Sequence, residues 1–110
     1  MDKLLSKPQP DDISDSTILK VIRHLSASST NIIDTRHSNE RRHKRKITRM
    51  QIEQCLKKGV IKYGEAPYID IHGNWVATLQ RMAAGEEITC VVAIDWPSKL
   101  IIITAYNGDR

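Results

Sequence analysis

The sequence predicts an α+β domain in which N-terminal helices pack on an antiparallel sheet of about four strands. Apolar residues recur at helical spacing as far as Lys58 and at every second position beyond Gly59. The runs Ile88–Trp96 and Leu100–Tyr106 are rich in β-branched residues and suit strands inside a sheet. At 110 residues the chain is long enough for one domain and too short for two. Helices first and strands afterwards make an α+β order rather than alternating α/β units.

Residues 1–12 contain Pro8, Pro10 and mixed charge and read as a disordered leader, leaving 13–110 as the single domain. The cap-forming cluster Asp15-Ser16-Thr17 opens a first helix with Ile18, Val21, Ile22 and Leu25 on one face. Ser and Thr residues end it between Ser26 and Asn31. Thr35 caps a second helix reaching about Lys46, with no aliphatic residue from Arg36 to Lys46, so burial of an apolar face cannot hold it. Thr48-Arg49-Met50-Gln51 is a capping box for a third helix, with Ile52, Cys55 and Leu56 inward and Gly59 as its terminating residue. Short strands are expected at Val60–Tyr63 and Tyr68–His72, and longer ones at Asn74–Met82, Ile88–Trp96 and Leu100–Tyr106, with turns at His72-Gly73-Asn74, Ala84-Gly85-Glu86 and Trp96–Lys99. Phenylalanine is absent, so the core rests on Ile, Val, Leu, Met and the two Trp.

No apolar run approaches the ~20 residues of a membrane span, so a membrane partner is not expected. Met1–Asp12 has no apolar stretch of the kind a secretion signal needs. Cys55 and Cys90 have no paired-thiol spacing, which points to a reduced, cytoplasmic chain without disulfides. They also give no C-x-x-C zinc motif. A site drawn from His37, His43, Cys55 and Cys90 lacks an i, i+4 His pair, and neither metal nor cofactor is expected.

The net charge of +4 is unevenly distributed. From Arg36 to Arg49 seven basic residues face only Glu40, a net of +6, while the remaining residues carry ten basic and twelve acidic groups. Such a focus attracts polyanions, nucleic acid above all; the plainer reading is a solvated helix face or a basic tail. Within it His37, Arg41 and Arg45 are spaced i, i+4, i+8 and share one helix face. Guanidinium groups grip phosphate oxygens bidentately and stabilise charge building at phosphorus. A histidine beside them can move the proton of an RNA 2′-hydroxyl, which is its own nucleophile and requires no metal. His24, His43 and His72 read as incidental. Tyr63 and Tyr68 read as packing, whereas Tyr106, at the end of the last strand, is placed to assist as a donor.

The pattern His37-x3-Arg41-x3-Arg45-x-Ile47-Thr48, followed by a helix, Gly59 and several strands, resembles domain-of-unknown-function family 4258. That family reads H-x-x-x-R-M-x-x-R-x-I-S, then a short helix, then a sheet ending in T-x-Y. Thr104-Ala105-Tyr106 matches the final element, and Gly73–Val76 and Val91–Asp95 resemble its middle strands. The resemblance covers about Ile33 to Tyr106. Arg42 departs from it, standing where the family usually has methionine and removing an apolar anchor. The family is similar to the RelE and barnase-like superfamily of small ribonuclease toxins. This implies helices against a four-stranded antiparallel sheet, an RNA-cleaving or RNA-binding role, and a neutralising antitoxin protein as a partner. The expectation is a toxin-type, metal-independent endoribonuclease. His37 is its acid or base, Arg41 and Arg45 bind the phosphate, and Tyr106 is an auxiliary donor. Arg42, Lys44, Lys46 and Arg49 steer the RNA. The alternatives are a non-catalytic nucleic-acid-binding domain and a protein-interaction module.

Overall fold

The computed structural model describes residues 14–83 and 85–108, and the expected leader at 1–12 lies outside them. Helix α1 (Asp15–Ser26) starts one residue after Ser14, whose hydroxyl accepts from the Thr17 amide at 3.2 Å. A 3-10 turn at Ser29–Asn31 leads to β1 (Ile32–Asp34), α2 (Arg36–Lys44) and α3 (Arg49–Lys58). The chain continues through β2 (Val60–Ile61), β3 (Tyr68–Ile69), β4 (Trp75–Ala83), β5 (Glu86–Asp95) and β6 (Lys99–Asn107). No described helix is long and apolar enough to cross a membrane.

The α+β order is as expected, but the sheet has six strands rather than about four. Its order is β1-β6-β5-β4-β2, with β3 also pairing β4. All pairings are antiparallel except β1 on β6, which is parallel through Ile32–Leu100, Ile33–Ile101 and Asp34–Ile102. Strand β1 escapes a pattern reading because three residues are too few to show a period of two.

One sheet face meets the helices. Trp75, Ala77 and Leu79 of β4, Ile88, Cys90, Val92 and Ile94 of β5, and Leu100, Ile102 and Ala105 of β6 form one core with the buried stripes of α1 and α3. A shift of register at Val91/Val92 leaves Ile103 without a partner on β5, so Thr104 and Tyr106 join Val91 and Thr89 on the opposite face. On that second face Val76, Thr89 and Ala93 are buried as well.

Helix α3 is closed at its start by the expected capping box. The Thr48 hydroxyl accepts from the Gln51 amide at 3.1 Å, and Gln51 Oε1 accepts from the Thr48 amide at 2.8 Å. Gly59 ends the helix for a different reason from the one expected. Its φ of −73° is open to any residue, but a Cβ there would sit 2.4 Å from the Cys55 carbonyl oxygen. Close approach of backbone to backbone requires the glycine.

Helix α2 buries only Ser38 and Arg42. It docks through Asp34 at the end of β1. The carboxylate accepts from Ser38 Oγ at 2.5 Å and from Arg42 Nε at 2.6 Å, and Arg42 NH1 donates to the Ile47 carbonyl at 3.1 Å. The side chains of Arg42 and Asp34 are 10% and 7% exposed, so this is a buried ion pair with further hydrogen bonds on both partners. The helix ends in a Schellman arrangement: the Ile47 amide donates to the Arg42 carbonyl at 2.8 Å and the Lys46 amide to the His43 carbonyl at 3.1 Å. Lys46 occupies the left-handed position, φ 58°, that glycine usually takes. Buried Ile47 is the apolar residue that follows it.

Replacing Arg42 by methionine, the residue usual in the resembling family, leaves Asp34 buried without its cation. Arg42→Met is expected to lower the unfolding free energy by about 3 kcal/mol or more in a urea titration.

Candidate nucleic-acid interface

Beyond the short β1, the outer edge of β6 carries no strand among the described residues, and α2 lies along it. Arg45, the residue that closes α2, crosses to this edge. Its NH1 donates to Thr104 Oγ1 at 3.2 Å and to the Ala105 carbonyl oxygen at 2.7 Å. Asn107 answers from the strand, donating to the Arg45 carbonyl at 3.2 Å and to Glu86 Oε1 at 2.8 Å. The two hydrogens of NH1 are therefore committed, while Nε and NH2 of the same guanidinium have no partner among the described residues. The side chain is held in orientation with one bidentate edge open.

His37 and Arg41 lie exposed on the α2 surface beside Arg45. The three span eight residues of helix, about 12 Å along its axis. Tyr106 is on the sheet face opposite the helix-packed core, two residues beyond Thr104, and the Lys62 ammonium stands 5.6 Å from its ring centroid. Beneath Tyr106 its register partner Thr89 is fully buried, and Thr89 Oγ1 has no hydrogen-bond partner among the described residues.

Of the residues expected to steer RNA, Lys44 and Lys46 are exposed. The other two are engaged within the fold. Arg42 forms the buried pair with Asp34. Arg49 donates to Glu53 Oε2 at 3.0 Å and to the carbonyls of Ser29 and Ile32 at 3.0 and 2.9 Å, tying α3 to β1. Both lie in the basic run, and the sequence carries no mark separating them from their exposed neighbours. Three residues that shape the site were given no role by the sequence reading. Thr104 was legible only as part of Thr-x-Tyr, and Asp34 only as a neighbour of the capping Thr35. Lys62 comes from the far side of the sheet, and no local pattern signals it.

The family model for the domain of unknown function DUF4258 matches residues 35–107, about two-thirds of the chain, from the cap of α2 to the end of β6. The protein belongs to the DUF4258 family. No curated protein and no solved structure matches it. The matched span of this DUF4258 domain holds His37, Arg41, Arg45, Lys62 and Tyr106, while α1 and β1 lie before it.

Burial raises the Asp34 pKa, but the hydrogen bonds from Ser38 and Arg42 and the charges of Arg42 and Arg49 outweigh it and hold the carboxyl below its ordinary value. A folded-state pKa below the unfolded one adds stability above the ordinary carboxylate pKa of about 4, and that stability is lost as pH falls through the depressed value. Asp34→Asn is therefore expected to be less stable at pH 7 and to show a shallower loss of stability on acidification than the unaltered protein, measured by denaturant titration between pH 7 and pH 3.

Cys55 and Cys90 are both fully buried in the core, apart from the exposed His37 and His43, so these four do not meet at one site. Among the described residues no group of three or more His, Cys, Asp or Glu side chains is arranged to hold a metal ion. Burial pushes the Cys55 thiol up to about 12 and Cys90 well above its usual value, which suppresses the reactive thiolate. Neither thiol is expected to react with a disulfide reagent in the native protein, and both should react in denaturant.

Proposed function

We propose that this DUF4258 protein binds single-stranded RNA and cleaves it as a metal-independent endoribonuclease related to the RelE and barnase-like toxins. The observation that carries the reading is the fixed guanidinium of Arg45. Thr104 and Ala105 hold NH1, and the open Nε and NH2 edge has the geometry that grips two oxygens of one phosphate. A cation oriented in advance costs no reorganisation when charge develops at phosphorus. Exposed Arg41, one helical turn away, supplies a second guanidinium to the same phosphate.

In this mechanism His37 takes the proton of the 2′-hydroxyl. The 2′-oxygen bonds to phosphorus and the 5′-oxygen leaves, producing a 2′,3′-cyclic phosphate and a free 5′-hydroxyl. The leaving 5′-oxygen takes its proton from Tyr106, the auxiliary donor, which regains one from water as His37 releases the proton it took. Lys62 over the Tyr106 ring adds positive potential on that side. Exposed Lys44 and Lys46 attract the flanking phosphates, whereas Arg42 and Arg49 act through the elements they hold. A toxin of this kind requires a neutralising antitoxin, which we propose as the protein partner, acting in the cytoplasm.

RNA affinity should fall steeply with salt, with a slope of about −0.7 in log K against log salt for each phosphate neutralised on a single strand. His37→Ala should lower the cleavage rate by about 10²–10⁴-fold with little change in binding, because an acid or base contributes mainly in the transition state. Arg45→Ala should lower both. Titration of labelled single-stranded RNA, with a cleavage assay on the same preparations, checks each effect. A salt-independent affinity removes RNA as the ligand, and undiminished cleavage by His37→Ala removes the histidine from the mechanism.

A further inference from the structure

Arg45 is held at both of its ends. Thr104 and Ala105 fix its guanidinium, and its carbonyl accepts from Asn107 Nδ2 at 3.2 Å. That carbonyl is one of those a helix end leaves without an intrahelical donor. Thr104, Ala105 and Asn107 belong to the last turn of sequence in β6, and the residue between them is Tyr106. Asn107 pairs in register with Ile88 on the core side of the sheet, whereas Thr104 and Tyr106 are on the opposite side. Asn107 therefore pins the backbone of Arg45 on one side of the strand edge while the guanidinium reaches Thr104 on the other. Asn107 is itself oriented. Its second amide hydrogen goes to Glu86 Oε1 at 2.8 Å, and Glu86 Oε2 accepts from Gln51 Nε2 at 3.4 Å. Gln51 Oε1 in turn accepts from the Thr48 amide at 2.8 Å, within the capping box of α3. These hydrogen bonds form a ring that leaves the chain at Arg45 and returns to it at Thr48, enclosing the connection between α2 and α3. Each side chain matches its place: Asn107 has two hydrogens for two acceptors, Glu86 two oxygens for two donors, and Gln51 one of each.

Resting on the RNA reading above, we propose that Asn107 is a positioning residue for Arg45, with Glu86 as the acceptor that orients it. Together they fix where the end of α2 presents the guanidinium relative to Tyr106 and the scissile phosphate. Neither side chain touches the RNA in this role. An arginine is long and rotamer-rich, so its fork stays aimed only if the backbone it hangs from is held as well. With the carbonyl released, the last turn of α2 frays and the guanidinium samples several directions. The cation is still present, so RNA is still attracted. What is lost is placement, and a displacement of about 1 Å in a catalytic group costs as much as ~10²-fold in rate. The charge of Glu86 opposes RNA, so its contribution lies in its hydrogen-bond geometry. A purely electrostatic role for Glu86 forecasts faster, tighter processing of RNA once the charge is removed, the reverse of what positioning requires.

The test compares Asn107→Ala, Glu86→Ala and Glu86→Gln with the unaltered full chain in two measurements. The first uses no RNA: nitrogen-15 relaxation of the Arg45 Nε–H. Its order parameter is expected to fall below about 0.6, the flexible range, in Asn107→Ala and Glu86→Ala. It should stay high in Glu86→Gln, whose amide oxygen still accepts from Asn107. The second measures affinity and cleavage with labelled single-stranded RNA. Asn107→Ala and Glu86→Ala should cleave about 10–10²-fold more slowly with affinity nearly unchanged, and Glu86→Gln should recover most of the rate. A residue that only stabilises the fold lowers the melting temperature and leaves Arg45 as ordered as before. Should Asn107→Ala not fold, the two Glu86 variants decide alone. An Arg45 side chain equally ordered in all four proteins, equal losses of affinity and rate, or a Glu86→Gln indistinguishable from Glu86→Ala overturns the proposal. If the unaltered protein neither binds nor cleaves RNA, the RNA reading falls, while the relaxation measurement still decides whether Asn107 orients Arg45.

Discussion

The ion pair between Asp34 and Arg42 is the contact on which the candidate interface depends. Helix α2 has no aliphatic side chain to bury, and its run of cations repels itself. A helix of this composition stays against the body only if specific polar contacts hold it. Asp34 supplies them from the end of β1, accepting from both Ser38 and Arg42, and Arg42 continues to the Ile47 carbonyl. Burying two charges is costly in itself, and the added hydrogen bonds are what make the pair tolerable. What the pair secures is orientation: with Ser38 and Arg42 turned inward, His37 and Arg41 face solvent and Arg45 reaches β6.

The same contact explains the place of the short first strand. Three residues of β1 on the edge of β6 stabilise little, but they fix Asp34 next to Ile102. The chain then turns through Thr35 into α2, whose first turn is capped by the Thr35 hydroxyl accepting from the Ser38 amide at 3.2 Å. Where β1 stops, α2 takes over the exposed edge of β6, and the Arg45 guanidinium occupies an edge carbonyl that would otherwise invite another strand. One arrangement thus protects the sheet edge and orients the cation proposed to bind phosphate.

Much of this was legible in the residues. The α1 stripe, the capping box at Thr48 and the change of period after Gly59 each have one physical solution, and the structure adopts it. The i, i+4, i+8 spacing of His37, Arg41 and Arg45 puts them on one side of α2. What could not be read depends on contacts distant in sequence. Arg42 and Arg49 share the composition of their exposed neighbours, and only the carboxylates of Asp34 and Glu53 distinguish them. Tyr63 read as packing, because its complete exposure follows from the turn at Gly64 rather than from any local hydropathy. Lys62 and Tyr106 are 44 positions apart and meet only because the sheet brings them together.

RNA binding on one surface shared by α2 and the adjoining face of β6 is the reading on which the proposed function rests. Its most direct test is nuclear magnetic resonance mapping of the isotopically labelled protein with a short RNA carrying a single 2′-deoxynucleotide at each cleavable position, which removes the nucleophile and leaves the phosphates in place. The largest shifts are expected to fall together on His37, Arg41, Arg45, Thr104 and Tyr106, with the Arg45 Nε resonance moving most among the arginines. Shifts confined to other surfaces, or an Arg45 side chain unmoved at saturation, would contradict it.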